Sequence, residues 1–179
     1  REWKESTYNE RWQRGEDLNL GIGQGYTLVT PLQVARYIAA LINGGRLLKP
    51  ELLGYAKPEV QEELPITAEQ RELIKRTMVE TVEGPRGTCR RIRTKGVTAG
   101  AKTGTAQVVR LTDELNAMDD EDIPYKLRDH AWMAGFAERG EKRYVIVVMV
   151  EHGLHGSSGA GPVVKAVIDH LFAEKDTGQ

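Results

Sequence analysis

Ala99-Gly100-Ala101-Lys102-Thr103-Gly104-Thr105-Ala106-Gln107 sets a cation, two hydroxyls and a glycine inside a run that otherwise reads as a strand. An ammonium at Lys102 can hold a carboxylate or tune a neighbouring serine. Gly104 lets a substrate backbone come close, and Thr105 offers both an N–H and a hydroxyl. Strand alternation puts Lys102 and Gly104 on one face, and Thr103, Thr105 and Gln107 on the other. On that count Thr103 is expected to face the core.

From Thr98 onward the sequence changes to a period of two. Thr98 to Val109, His130 to Ala137 and Arg143 to Glu151 read as three strands, the last two joined by the polar turn Glu138-Arg139-Gly140-Glu141. Upstream the period is helical. Thr30 is an N-cap with Pro31 at the first helical position. Leu32, Ala35, Ala39 and Ile42 then repeat at helical spacing until Asn43-Gly44-Gly45 ends the element, giving a helix at about 31 to 43. Thr67-x-x-Gln70 is a capping box, and Leu73, Ile74, Thr77, Met78, Thr81 and Val82 form one stripe, giving a helix at about 68 to 83.

A glycine-rich turn, Gly153 to Gly161, leads into a closing helix from Pro162 to about Phe172. Its expected buried face is Val163, Val164, Val167, Ile168 and Leu171. Residues 1 to 25 read as irregular structure ending in the tight turn Gly21-Ile22-Gly23-Gln24-Gly25. Residues 46 to 65, with three prolines, read as a connector with one short strand near Leu52 and Leu53. The order helix, helix, three strands, helix is α+β, an antiparallel sheet covered by helices.

The totals narrow the function. A chain of 179 residues fits one domain, and a formal net charge of −1 gives no electrostatic case for nucleic acid. The single cysteine, Cys89, reads as structural. The longest apolar run, Val145 to Val150, is far short of the roughly 18 residues of a membrane span. The chain opens at Arg1 with no leader, so any export signal or anchor is expected to lie outside these residues.

K-T-G is the third element of the S-x-x-K, S-x-N, K-T-G set of penicillin-binding proteins and serine β-lactamases. Other motifs stand in the same order as in class B penicillin-binding proteins: Gly21-Ile22-Gly23-Gln24-Gly25-Tyr26, Thr30-Pro31-Leu32-Gln33, Asn43-Gly44-Gly45, Gly87-Thr88, Lys102-Thr103-Gly104-Thr105-Ala106-Gln107, His130-Ala131-Trp132 and Gly135-Phe136-Ala137. The chain therefore resembles the C-terminal part of that family's transpeptidase domain from about residue 1 to 172. Arg1-Glu2-Trp3-Lys4 and Leu127-Arg128-Asp129-His130 resemble its penicillin-binding protein 2 branch. The only serines are Ser6, Ser157 and Ser158, and none is followed by Lys at the third position or by Asn at the second. The nucleophile and the S-x-N element are accordingly expected in an upstream half outside this chain.

The resemblance implies a five-stranded sheet and a peptidoglycan D,D-transpeptidase that cross-links the cell wall during rod elongation. In that mechanism a serine attacks the D-Ala-D-Ala amide of one stem peptide, D-Ala leaves, and an amine of a second stem peptide resolves the acyl-enzyme. β-Lactam antibiotics stall it at the acyl stage. By the same resemblance Lys102 organises the proton network and the anionic end of the donor, and Thr105 binds the substrate carboxylate through its hydroxyl. The Thr105 N–H supplies half of an oxyanion hole. Thr103, Gly104 and Gln107 complete the substrate-binding set. An active Thr105 conflicts with a buried Thr103 on the same face. A local twist or recognition through the backbone are the two resolutions.

The resemblance further implies a periplasmic domain of an inner-membrane-anchored protein, with a membrane glycosyltransferase and elongation-complex scaffold proteins as partners and no metal or organic cofactor. A D,D-carboxypeptidase or β-lactamase-like hydrolase and a non-catalytic β-lactam sensor are the alternatives. The remaining features read as structural. His152 and His155 with Glu151 lack the spacing of a built metal site. Ser157 and Ser158 lack an activating neighbour. The glycine cluster lacks the G-x-G-x-x-G spacing of a phosphate loop. The acidic stretch from 111 to 125 reads as a solvated loop overhanging the cleft as a lid or wall, and Arg86, Arg90, Arg91, Arg93 and Lys95 as a basic surface.

Overall fold

The computed structural model describes residues 1–54, 57–109 and 112–173. Along them run helices α1 (Glu2–Tyr8), α2 (Arg14–Gly21) and α3 (Pro31–Ile42), strands β1 (Arg46–Leu48) and β2 (Val60–Glu63), and helix α4 (Ala68–Glu83). Then follow β3 (Thr98–Ala106), the short helix α5 (Asp113–Asn116), β4 (His130–Arg139), β5 (Lys142–Val150) and α6 (Gly161–Phe172). The order is the α+β arrangement read from the sequence. No helix among the described residues is long and apolar enough to cross a membrane.

The main sheet is antiparallel, in the order β3-β4-β5. Its register runs without a bulge from Thr98 opposite Glu138 to Ala106 opposite His130. Because successive side chains alternate faces, β4 serves two cores at once. Ala131, Met133 and Ala137 pack toward α6 with Val164, Ile168 and Phe172, in a cluster that also takes in Val82, Cys89, Ile92, Ala99 and Ala101. Phe136 points the other way and packs with Ile38, Leu41 and Met78 of α3 and α4. The sheet is thus sandwiched between α6 and the α3–α4 pair. Its edges are β3 and β5 among the described residues.

Capping sets both middle helices. Thr30 accepts from the Gln33 N–H at 3.2 Å while the Gln33 side chain accepts from the Thr30 N–H at 2.8 Å, and Thr67 and Gln70 repeat the box with the same distances. Gly140 turns β4 into β5 with φ 59°, a left-handed conformation that suits glycine.

Several expectations are corrected. Residues 1 to 25 are not irregular: α1 and α2 form there. α2 starts with a box in which Gln13 plays the part usually taken by serine or threonine. The strand expected near Leu52 and Leu53 is absent. Both leucines are exposed in a bend, and the pairing is made instead by β1 and β2, with Leu47 opposite Glu62. β3 ends at Ala106 rather than Val109, and Val108 turns off to donate its N–H to Asp129 at 3.2 Å. Leu32, Leu73 and Val163 belong to no core: each is about half exposed, and the buried faces of their helices are carried by Ile38 and Leu41, by Met78 and Val82, and by Val164 and Ile168.

Candidate active site

β3 is an edge strand, so alternate residues direct both their N–H and their C=O away from β4. Three of these outward carbonyls are visible from their partners. Ala101 O accepts from Thr81 Oγ1 of α4 at 2.6 Å, Thr103 O from the Lys102 ammonium at 2.7 Å, and Thr105 O from Gln24 Nε2 at 2.9 Å. The hydrogen bond to Thr105 O fixes the sense of that peptide. In an antiparallel ladder the N–H of a residue points the same way as its C=O, so the Thr105 N–H also faces the open edge.

Lys102 is exposed and lines a cleft with Thr77, Glu80, Thr81, Arg86 and Thr88. Thr103 is half-buried on the α6 face. Its Oγ1 lies 3.5 Å from Thr88 Oγ1, and its Cβ closes on Gly156 in the turn Gly156–Ala160 before α6. A Cβ built on Gly104 would stand 3.2 Å from the Cβ of Trp132, so the sheet itself crowds this position. Thr105 pairs with Ala131, on the same face as Thr103. Gln107 lies past the end of β3 and is exposed. Lys102, Thr103, Gly104 and Thr105 thus share one edge strand, with Gln107 just beyond it. What Thr105 directs at the open edge is its main chain.

The glycine turn is attached to this edge. Gly23 and Gly25 have φ of 77° and 80°, which lets the chain fold back after α2, and the Gln24 N–H donates to Asn19 O at 2.8 Å. Sequence reasoning names Gln24 in the glycine turn, Thr81 in a helix stripe, Arg86 in the basic surface and Thr88 in a family motif, but assigns none of them to the site. The one signal for Gln24 was its place between two glycines in a loop expected to turn sharply.

The segment carrying Gln24 rests on a charged centre. Lys4 is buried, and its ammonium contacts the Glu16 carboxylate and lies 3.2 Å from Glu10. The bond to Glu16 holds Lys4 well above the ordinary lysine range against the opposing effect of burial, and the same bond holds Glu16 below the ordinary carboxylate range.

The other polar groups have structural partners. His152, at φ 54°, donates its N–H to His130 Nδ1 at 3.0 Å, and its own Nδ1 lies 2.9 Å from Arg128 O. His155 pairs with Asp120 at 3.1 Å. The acidic stretch is therefore tied to the turn after β5, and its residue 111 lies outside the described residues. Ser158 donates to His155 O, and among the described residues no hydrogen bond joins Ser157 or Ser158 to a basic side chain. In the basic group Arg93 binds the Val82 and Glu83 carbonyls at the end of α4, and Arg90 binds Pro85 O at 2.6 Å.

Residues 4–169 match the family model for the penicillin-binding protein transpeptidase domain. The chain is 32% identical over 186 residues to the peptidoglycan D,D-transpeptidase MrdA of Haemophilus influenzae, an alignment covering 98% of this chain and 28% of that protein. It is similar to the crystal structure of Pseudomonas aeruginosa PBP2 in complex with WCK 5153, with a TM-score of 0.76 and 35% identity over 98% of this chain and 38% of that one. It is similar also to PBP2 in the complex with MreC from Helicobacter pylori, with a TM-score of 0.72 and 30% identity over 96% of this chain and 30% of that one. The chain spans less than a third of the length of the MrdA relative. A model match over nearly the whole chain, a relative above 30% identity and an edge strand bearing K-T-G all meet in one conclusion: this chain belongs to the penicillin-binding protein transpeptidase domain family.

Proposed function

We propose that these residues form the K-T-G wall of a peptidoglycan D,D-transpeptidase. In this reading the chain is the C-terminal part of one transpeptidase domain, and the serine of S-x-x-K and the S-x-N element are supplied by a segment outside it. The serine hydroxyl adds to the carbonyl of the penultimate D-Ala, its proton passes to a neighbouring base, and the terminal D-Ala leaves. An amine of a second stem peptide then takes the acyl group and frees the serine. Lys102 supplies positive charge for the donor carboxylate, the Thr105 hydroxyl binds that carboxylate, and the Thr105 N–H stabilises the oxyanion. Thr103, Gly104 and Gln107 line the path of the donor peptide, and β-lactams acylate the same serine.

The observation that carries this reading is the edge position of β3, from which the Thr105 carbonyl and N–H face away from β4, while the exposed Lys102 of the same strand lines a cleft. A row of exposed apolar residues, Leu18, Leu20, Ile22, Leu28, Val29 and Leu32, supports the further domain segment, since such a row is costly in water. The name of the MrdA relative favours transfer over hydrolysis. The PBP2 and MreC complex supports a scaffold partner of MreC type. A membrane glycosyltransferase partner and a periplasmic, membrane-anchored placement complete the proposal.

The test is the acylation rate by a fluorescent penicillin in the protein that joins this chain to its S-x-x-K segment. Lys102→Ala and Thr105→Ala each slow acylation by about 10²-fold, the usual scale for one lost anchoring or oxyanion donor, while Thr105→Ser stays close to wild type. Alanine variants that acylate at the wild-type rate would remove both residues from the site.

A further inference from the structure

We propose that the cavity between α1, α2 and the glycine turn is a subsite for one neutral sugar ring, an N-acetylated hexose of a glycan strand that carries stem peptides. The glycan strand rests on the transpeptidase reading above, and the sugar rests on the cavity itself. Trp3, Trp12 and Tyr26 give the cavity aromatic walls, and Asn19, Gln24 and Thr27 give it polar groups without charge. Aromatic faces take up the C–H face of a pyranose, and carboxamides and hydroxyls meet its rim of hydroxyl and acetamide groups. The volume is about 170 Å³. Most ligand pockets hold roughly 300–1,000 Å³, so this one takes a single ring and leaves the rest of a strand outside.

The charges around the cavity are already paired. Glu16 lines it, but one carboxylate oxygen contacts the Lys4 ammonium and the other accepts from the Gln13 N–H at 2.5 Å. Asp17 accepts from the Trp12 indole at 2.9 Å and lies 3.4 Å from Arg1. An ionic ligand would lose hydration here without gaining a partner, so the cavity selects a neutral one. The uncharged groups are less engaged. Gln24 commits its Nε2 to Thr105 O, and among the described residues no hydrogen bond is made by its Oε1, by the Asn19 carboxamide or by the Thr27 hydroxyl. The aromatic wall is open as well. Trp3 meets Tyr8 and Tyr26 by edge contacts at 5.7 and 6.0 Å and is still 50% exposed.

The place of the cavity suits a glycan strand. Gln24 lines it and also donates to Thr105 O, so the cavity stands one side chain away from the strand that bears K-T-G. A sugar held there is part of the substrate but takes no part in the reacting bond. Such remote contacts strengthen binding of the ground state and the transition state alike. The subsite therefore distinguishes stem peptides on a glycan from free peptides, and it is visible with a sugar that carries no peptide at all.

The probe is chitotetraose, an oligomer of N-acetylglucosamine, titrated into the protein that includes the S-x-x-K segment and read by saturation-transfer NMR. The acetyl methyl signals of the sugar take up saturation, with a dissociation constant on the order of 1 mM, the scale of a single well-placed ring. Maltotetraose, which is neutral but lacks acetamides, binds about fivefold more weakly. Trp3→Ala removes part of the aromatic wall and weakens chitotetraose binding at least about tenfold. Asn19→Ala leaves the aromatic residues in place and weakens it about fivefold, the scale of one hydrogen bond. No saturation of chitotetraose at about 10 mM would overturn the proposal, as would binding that both variants leave unchanged. Equal binding of the two sugars would overturn the N-acetyl assignment. The transpeptidase reading fails separately: a protein that takes no fluorescent penicillin but binds chitotetraose through Trp3 and Asn19 keeps the sugar site and loses that reading.

Discussion

The first thirty residues and the β3–β4–β5 sandwich are held together by opposite means. In the sandwich the buried side chains are apolar: Met133, Phe136, Val82, Val164 and Ile168 fill both faces of β4. In residues 1–30 the one buried side chain is Lys4. That arm is organised by its contacts with Glu16 and Glu10, by the Trp12 indole donating to Asp17 at 2.9 Å, and by the ring contacts of Trp3, Tyr8 and Tyr26 at 5.3 to 6.0 Å. Apolar burial is non-directional and cooperative across the sheet, while the arm depends on a few directional bonds. The two meet at the hydrogen bond from Gln24 to Thr105, so a weakly packed region supports the strand that carries K-T-G.

The contrast breaks most visibly in the core. Phe136→Ala removes a ring buried against Ile38, Leu41 and Met78 and is expected to lower global stability by about 3–5 kcal/mol. Chemical denaturation of the chain measures it, and a loss below about 1 kcal/mol would mean that β4 is not the shared wall of two cores. A smaller effect is expected at the start of α4. Thr67→Ala deletes one half of the capping box and costs about 1 kcal/mol in the same denaturation assay, whereas Thr67→Ser retains the acceptor and most of the stability.

The least global and most local effect is expected at Lys4. Lys4→Gln leaves the denaturation midpoint nearly unchanged but speeds amide hydrogen exchange in residues 1–26, with the β4 amides as protected as before. Equal loss of protection in β4 would show that arm and sandwich unfold as one body. Acid has the same local effect. The Glu16 carboxyl is held below its ordinary range, so its contribution is complete above that range and disappears as pH falls through the lowered value. The Lys4 ammonium is held above its ordinary range, so its contribution is complete below that range and disappears as pH rises through the raised value. The arm is therefore best ordered between about pH 5 and about pH 10.

The same contrast explains what the sequence discloses. α3 and α4 are legible because Thr30 with Gln33 and Thr67 with Gln70 mark their first turns, and β4 and β5 because a polar turn joins two apolar runs. The arm hides its helices. Its large apolar residues, Leu18, Leu20 and Ile22 among them, stay exposed, so no burial period is written into the segment. β1 and β2 are hidden for a related reason: Gln61, Glu62 and Glu63 are polar in succession and exposed, while the apolar pair Leu52 and Leu53 draws the eye to a bend. At the site, K-T-G is plain in the sequence. The outward direction of the Thr105 main chain is not, because it follows from the register of β3 on β4, which sets Thr105 opposite Ala131.

Cys89 is a fully buried free thiol, set in the cluster that also contains Val82, Ile92 and Ala101. Only the thiolate reacts with an alkylating reagent, and no reagent reaches this sulfur while the cluster is closed. Its labelling rate is consequently a clock for openings of the α6 side of the sandwich, silent to fraying of the arm. The molecule carries its own unfolding reporter, placed inside the apolar cluster that α6 closes.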